Sequence, residues 1–153
     1  MSAAIARLLR AGLTTGISDG LFACVLATVF FGSTVTRLWQ GVASVLLGPA
    51  AFDGGTPTAA TGVLMHFAVA FSWSTVFLLL ILSSSWLRGA IASPSGVVAV
   101  AAVYGPLIWV VMSLVIIPLF THRPPLINAR WWIQLIGHAP FVGLPIVALS
   151  SKF

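Results

Sequence analysis

The sequence predicts an all-α integral membrane protein with four transmembrane helices and one amphipathic interfacial helix between the first and the second. Composition is the first sign. Of 153 residues, 59% are hydrophobic and 6% are charged, where a water-soluble domain carries roughly a quarter charged. Length is the second, because four apolar runs of about 20 residues can each cross a hydrocarbon core about 30 Å thick. No polar stretch between them exceeds a short loop, which excludes a soluble enzyme or a water-exposed second domain within these residues.

The first span runs from about Gly12 to Gly32. Gly12, Gly16, Gly20, Cys24, Thr28 and Gly32 recur at every fourth position, so they share one helix face where another backbone can come close. Packing within the bundle and contact with a second copy are both open for this column. Arg7 and Arg10 before an apolar run that reaches Cys24 loosely resemble a lipoprotein signal. Asp19 inside that run argues instead for a retained first span.

Residues 36–48 are too short to span. Arg37, Gln40, Gly41, Ser44 and Gly48 alternate with Leu38, Trp39, Val42, Val45, Leu46 and Leu47 at helical spacing. This predicts an amphipathic helix in the membrane interface, with Trp39 at headgroup level; a lid or re-entrant plug is the sharper alternative. Gly48-Pro49 ends it, and Phe52 to Pro57 reads as a turn-rich loop.

The second span covers about 58–83 and is followed by a loop over 84–95. The third covers about 96–119, with Pro106 in its interior. A loop with His122, Arg123 and Pro124-Pro125 leads to the fourth, about 129–149, which Pro140 and Pro145 interrupt. Interior prolines free backbone carbonyls, so spans three and four are expected to kink and to face protein.

Four spans place both termini on one side. Arg7, Arg10, Arg88 and Lys152 then flank one face and Arg37, Arg123 and Arg130 the other, which weakly favours cytoplasmic termini. The net charge of +5 is spread singly over these sites. Nucleic-acid binding needs several bases along one tracked face, and no such face exists. The lone Cys24 excludes an intrachain disulfide.

Ionisable side chains within a membrane are costly and mark candidate functional sites. Three fall inside spans: Asp19, His66 and His138. His66 shares a face with Thr58, Gly62, Ala70 and Ser74, and His138 with Arg130 and Gln134. Both imidazoles are expected to point inward about 12 Å below the same boundary, close enough in depth to meet. Each can bond a carbonyl freed by Pro106 or Pro140, or bond Gln134. They can also form a proton or substrate site, or ligate one b-type haem with Gly62 and Gly137 under the porphyrin and Arg123 and Arg130 near its propionates. A bare metal ion wants three or four ligands; only Asp19 could join, and its depth differs by several ångströms. Near the inner side, Asp19 is expected to pair with a base such as Arg88, to be protonated, or to line a wet cavity. No Ser-His-acid order, paired carboxylate or phosphate loop is present, so nothing points to an enzyme.

From residue 61 onward a set of short motifs is shared with a known group: Gly62 to His66, Trp73, Trp86-Leu87-Arg88-Gly89, Pro118-Leu119, Pro124-Pro125 and Gly137-His138. Over roughly the last 90 residues the chain resembles the YagU-like bacterial inner-membrane proteins and related small four-span proteins, which lack an established activity. The resemblance implies a bacterial inner membrane and four helices. Members carry an acidic residue beside the Gly-His helix, whereas this stretch is apolar here. The leading functional expectation is a non-enzymatic accessory or scaffold subunit, or a bundle that self-associates in the bilayer as a homo-oligomer or within a larger complex. Small-solute or proton transport through Asp19, His66 and His138 is the alternative, and a haem-bearing electron-transfer subunit is the third.

Overall fold

The computed structural model describes residues 3–151, and each of the four apolar runs is a helix long enough to span. Lys152, one of the charges used to orient the chain, lies outside the described residues. Span one is α1 (Ala3–Val25) extended by a π-helical turn, Leu26–Phe30. Next come α2 (Val35–Leu47) and a 3-10 turn (Pro49–Asp53), which lead into span two, α3 (Gly55–Ser83). After a short α4 (Ser85–Ala90), span three comprises α5 (Pro94–Val111), a π turn (Met112–Ile116) and α6 (Ile117–Thr121). Span four comprises α7 (Ala129–His138), a π turn (Ala139–Gly143) and α8 (Leu144–Ser150).

Side-chain caps set four of these starts. Thr34, Ser84, Ser93 and Asn128 each accept the backbone N–H three residues on, at 3.1 Å, which satisfies a donor that the first helical turn leaves over. Gly48, at φ 71°, ends α2. The helix that carries span one is already formed at Ala3, ahead of Gly12, because a helix can carry Arg7 and Arg10 in its first turns while their long side chains reach out of the apolar layer. The segment after span two is likewise not all loop. Ser84 starts α4 there, and Arg88 Nη1 donates to the carbonyls of Ile81 at 2.7 Å and Leu82 at 3.2 Å. Arg88 thus covers the carbonyl end of α3 and is no partner of Asp19.

Spans one and four occupy the middle of the bundle. Span two packs beside span one, and span three beside span four. Toward the α4 end, Phe77 and Ile81 meet Ala101, Tyr104 and Ile108 and then Val142, Ile146 and Val147 in one buried cluster. The Tyr104 hydroxyl donates to the Trp73 carbonyl at 2.8 Å and ties span three to span two. Outward faces carry the large apolar residues, such as Ile17, Leu21, Leu64, Val103 and Ile136, as expected where the solvent is lipid.

α5 runs through Pro106 without a break, and the departures from α geometry are the three π turns. Pro140 lies inside the one in span four, where the Ala139 N–H serves the Ile136 carbonyl that Pro140 cannot. Pro145 has no N–H for the Phe141 carbonyl four residues back; the Ser18 hydroxyl of span one donates to it at 2.5 Å. No histidine caps a proline-freed carbonyl among the described residues.

Spans three and four touch through backbone. A Cβ on Gly105 would overlap the His138 carbonyl and crowd Gly143 N, and one on Gly143 would overlap the Ala101 carbonyl. Gly105→Ala and Gly143→Ala are each expected to cost about 1–3 kcal/mol, read as a lowered thermal unfolding midpoint in detergent. Gly89→Ala, where a Cβ meets open space, is expected to leave the midpoint in place.

Candidate functional site

Span one brings its small residues to span two and its Ser18 edge to span four, which leaves Asp19 between the two contacts. On the span-two side, a Cβ at Gly12 would run into the Phe71 ring and one at Gly16 into the Phe67 ring. At Gly20 it would sit 3.4 Å from His66 Nε2 and 3.5 Å from the Trp39 indole. The column is therefore occupied from within the chain over its first three positions. Cys24, the next, neighbours Trp39. Beyond it the π turn rotates the face away, since each extra residue turns a helix by about 100°. Thr28 bonds back to the Cys24 carbonyl, and Gly32, at φ 60° with open space around its Cβ position, ends the span without packing.

The His66 ring fills the space that Gly16 and Gly20 leave. Nε2 lies 2.9 Å from the Gly16 carbonyl and Nδ1 lies 3.9 Å from Asp19 Oδ2. A carbonyl only accepts, so Nε2 carries a proton and Nδ1 faces the carboxyl group. One further proton can then sit on either Nδ1 or Asp19.

Depth, expected to differ by several ångströms, brings Asp19 and His66 together instead. Asp19 precedes Phe30 by eleven residues, and His66 follows Gly55 by eleven, about 16 Å from the α2-side boundary in both cases. The expected offset came from ending span one at Gly32 and starting span two at Thr58. The side chains of Asp19 and His66 are 17% and 14% exposed, so the pair sits inside the bundle near the middle of the membrane.

Asp19 is incompletely satisfied. Its Oδ1 and the Oγ1 of Thr15, one turn earlier, are buried without a hydrogen-bond partner. Thr15 is only 2% exposed. Two such oxygens beside an acid–imidazole pair make this part of the bundle interior polar.

His138 lies on the other side of Asp19. Its Nδ1 is 2.7 Å from the backbone carbonyl of Gln134, four residues earlier, and its ring packs on Trp109 at 4.9 Å. The Gln134 side chain thus has no part in holding it. The two imidazoles share no ring contact. His66 packs on Trp39 at 5.2 Å and on Phe67 at 5.8 Å.

A b-type haem does not fit this arrangement. Axial ligation needs a ring nitrogen with a free lone pair aimed at the iron, and His66 has one nitrogen on a carbonyl and the other toward Asp19. The floor assigned to the porphyrin is also taken. Gly62 receives the Trp39 carbonyl of α2, and Gly137 receives the Phe22 ring. No group of three or more His, Cys, Asp or Glu suited to a metal ion occurs among the described residues.

Trp39 is the site residue that sequence patterning misplaced. α2 lies against α3 through Trp39, Gln40 and Ala43, with Gln40 Nε2 donating to the Gly55 carbonyl at 3.2 Å. Its indole consequently reaches inward to His66 and Gly20, not out to the headgroups. Gly62 was the available signal, because a glycine within an apolar span marks a close backbone approach. Trp109 and Trp131 were also missed. Trp109 Nε1 donates to the Trp131 carbonyl at 3.1 Å, and Trp131 Nε1 to Ser113 Oγ at 2.9 Å, a network that backs the His138 ring.

Fold and site together define a multi-pass, all-α membrane protein with a buried acid–imidazole pair. Compared with known proteins, the chain matches no family model, no curated protein and no solved structure.

Trp39 covers one face of the His66 ring, so Trp39→Ala is expected to raise the rate at which diethyl pyrocarbonate modifies His66 severalfold. His138, backed by Trp109, is expected to react at the parent rate in the same sample. Peptide mass spectrometry of the purified protein gives both rates.

Proposed function

We propose that the protein moves protons across the membrane, with Asp19 and His66 as the site where a proton is taken up and released. One observation carries this reading: a carboxyl group and an imidazole face each other in mid-membrane while Asp19 Oδ1 and Thr15 Oγ1 lack partners. An ionisable pair inside the apolar layer is costly to keep, which is why it marks a path for a proton or ion. His138, on the far side of Asp19, is the next proton station toward spans three and four.

The accessory or self-associating role is the second reading, and the lipid-facing rows of Leu13, Ile17 and Leu21 favour it by leaving a broad apolar surface open. Assembly into a homo-oligomer or a larger complex would use that surface, since Gly12, Gly16 and Gly20 already face Phe71, Phe67 and Trp39. The resemblance to YagU-like proteins supports a bacterial inner membrane, and the basic residues Arg7, Arg10 and Arg88 support cytoplasmic termini. In a Cys24→Ala background, a cysteine placed at Pro124 then reacts with an impermeant thiol reagent on intact cells, and one placed at Ala90 does not. The reverse pattern inverts the topology.

Liposomes loaded with a pH-sensitive dye and driven by a potassium diffusion potential test transport. The parent protein is expected to acidify or alkalinise the lumen faster than empty vesicles. Asp19→Asn and His66→Ala are expected to fall to the empty-vesicle rate while keeping the parent's elution profile. Equal rates for the parent and Asp19→Asn, or for the parent and empty vesicles, would end the proposal.

A further inference from the structure

At the opposite height from α4, where the spans emerge beside α2, the chain encloses a crevice of about 200 Å³ between α2 and the end of span three. Local sequence builds it. Gly48 and Pro49 stop α2 and turn the chain, which presents Phe52. On the other wall, α6 ends at Thr121, and His122 adopts a left-handed conformation, φ 53°. Pro124 and Pro125 then restrict their predecessors to extended backbone and hold Arg123 at the rim.

The lining is half apolar and half polar: Leu46, Phe52 and Phe120 against Ser44, Thr121 and Arg123. Leu46 and Phe120 are exposed to the surroundings. Arg123 is exposed, and among the described residues its guanidinium has no hydrogen bond, ion pair or ring contact. Arg37 lies over the Phe52 ring, 4.8 Å from its centroid, and adds a second positive charge behind that wall. No acidic residue lines the crevice.

We infer that this crevice binds the headgroup of an anionic phospholipid. It lies beside the ends of spans two and three at Gly55 and Thr121, where an apolar layer gives way to headgroups. An unpaired guanidinium there suits a phosphodiester, to which it can donate two parallel hydrogen bonds. The Ser44 and Thr121 hydroxyls donate to the Gly41 and Ile117 carbonyls, so their free lone pairs can accept from hydroxyls of a polyol headgroup, and Leu46 and Phe120 receive the first acyl carbons. Without a carboxylate in the wall, the ammonium of a zwitterionic headgroup finds no counter-charge, so a net negative lipid is selected. This site is independent of the Asp19–His66 pair.

Native mass spectrometry of the full chain, released from non-ionic detergent after titration with dioleoyl phosphatidylglycerol or dioleoyl phosphatidylcholine, tests the inference. The parent is expected to retain phosphatidylglycerol in preference to phosphatidylcholine. Arg123→Gln is expected to weaken phosphatidylglycerol retention about fivefold, Arg123→Lys to weaken it less, and Arg10→Gln, at the other membrane face, to leave it as in the parent. Arg123 is exposed and unbonded, so its variants should keep the parent's unfolding midpoint. Equal retention of the two lipids by the parent, or parent-like retention by Arg123→Gln, would overturn the inference. Competition with excess inorganic phosphate separates the two sources of the anion. Undiminished lipid retention supports the headgroup, whereas displacement would reassign the crevice to a soluble phosphate and overturn it.

Discussion

Inside a bilayer a backbone carbonyl without a donor has no water to turn to, and span four carries two prolines that each withhold one. The rest of the bundle is arranged around how that shortage is met. At Pro140 the helix widens into a π turn, and the Ala139 N–H serves Ile136. That wider turn puts Gly143 against Gly105 and holds span three at backbone contact. At Pro145 the remedy comes from outside the helix, through Ser18 of span one. Stacking of Phe22 on Phe141, 4.6 Å apart, reinforces the same contact.

Once Ser18 is fixed against span four, the neighbouring residue Asp19 has little freedom. It must sit at the seam between spans four and two, and the imidazole that Gly16 and Gly20 admit is there to meet it. α2 closes the seam from the membrane boundary by laying Trp39 over the ring. Small residues, an aromatic cover and a polar pair thus form one structure: remove the glycines and the histidine has no room; remove the indole and the pair loses its shield from one side. The same α2, at its other end, supplies one wall of the basic crevice.

Much of this was legible in the residues and some was not. Hydropathy and length give the four spans because lipid demands an unbroken apolar run, and the α2 helix shows its amphipathic period. Span ends were less visible: Arg7 and Arg10 look like a boundary in a hydropathy trace, yet a helix can carry arginines through its first turns. At the other boundary, ending span one at Gly32 and starting span two at Thr58 displaced Asp19 in depth and hid its pairing with His66. The π turns had no sequence signal beyond Pro140, and the one at Leu26–Phe30 breaks the four-residue column after Cys24 in a way that spacing alone does not reveal. Which face of α2 turns inward depends on Gly62, which lies on another helix and receives the Trp39 carbonyl, and such long-range fits are not encoded in local periodicity.

The Ser18–Phe141 bond ties the identity of one residue to the identity of another far along the chain. The hydroxyl at 18 is useful because residue 145 is a proline. A chain that regains an N–H at 145 restores the carbonyl's own partner within the helix, and alanine then becomes acceptable at 18. Conversely, loss of the hydroxyl while the proline remains strands a carbonyl at the lipid face. The order of substitution therefore matters: the path that changes Pro145 first stays on stable ground, and the path that changes Ser18 first crosses a weakened intermediate.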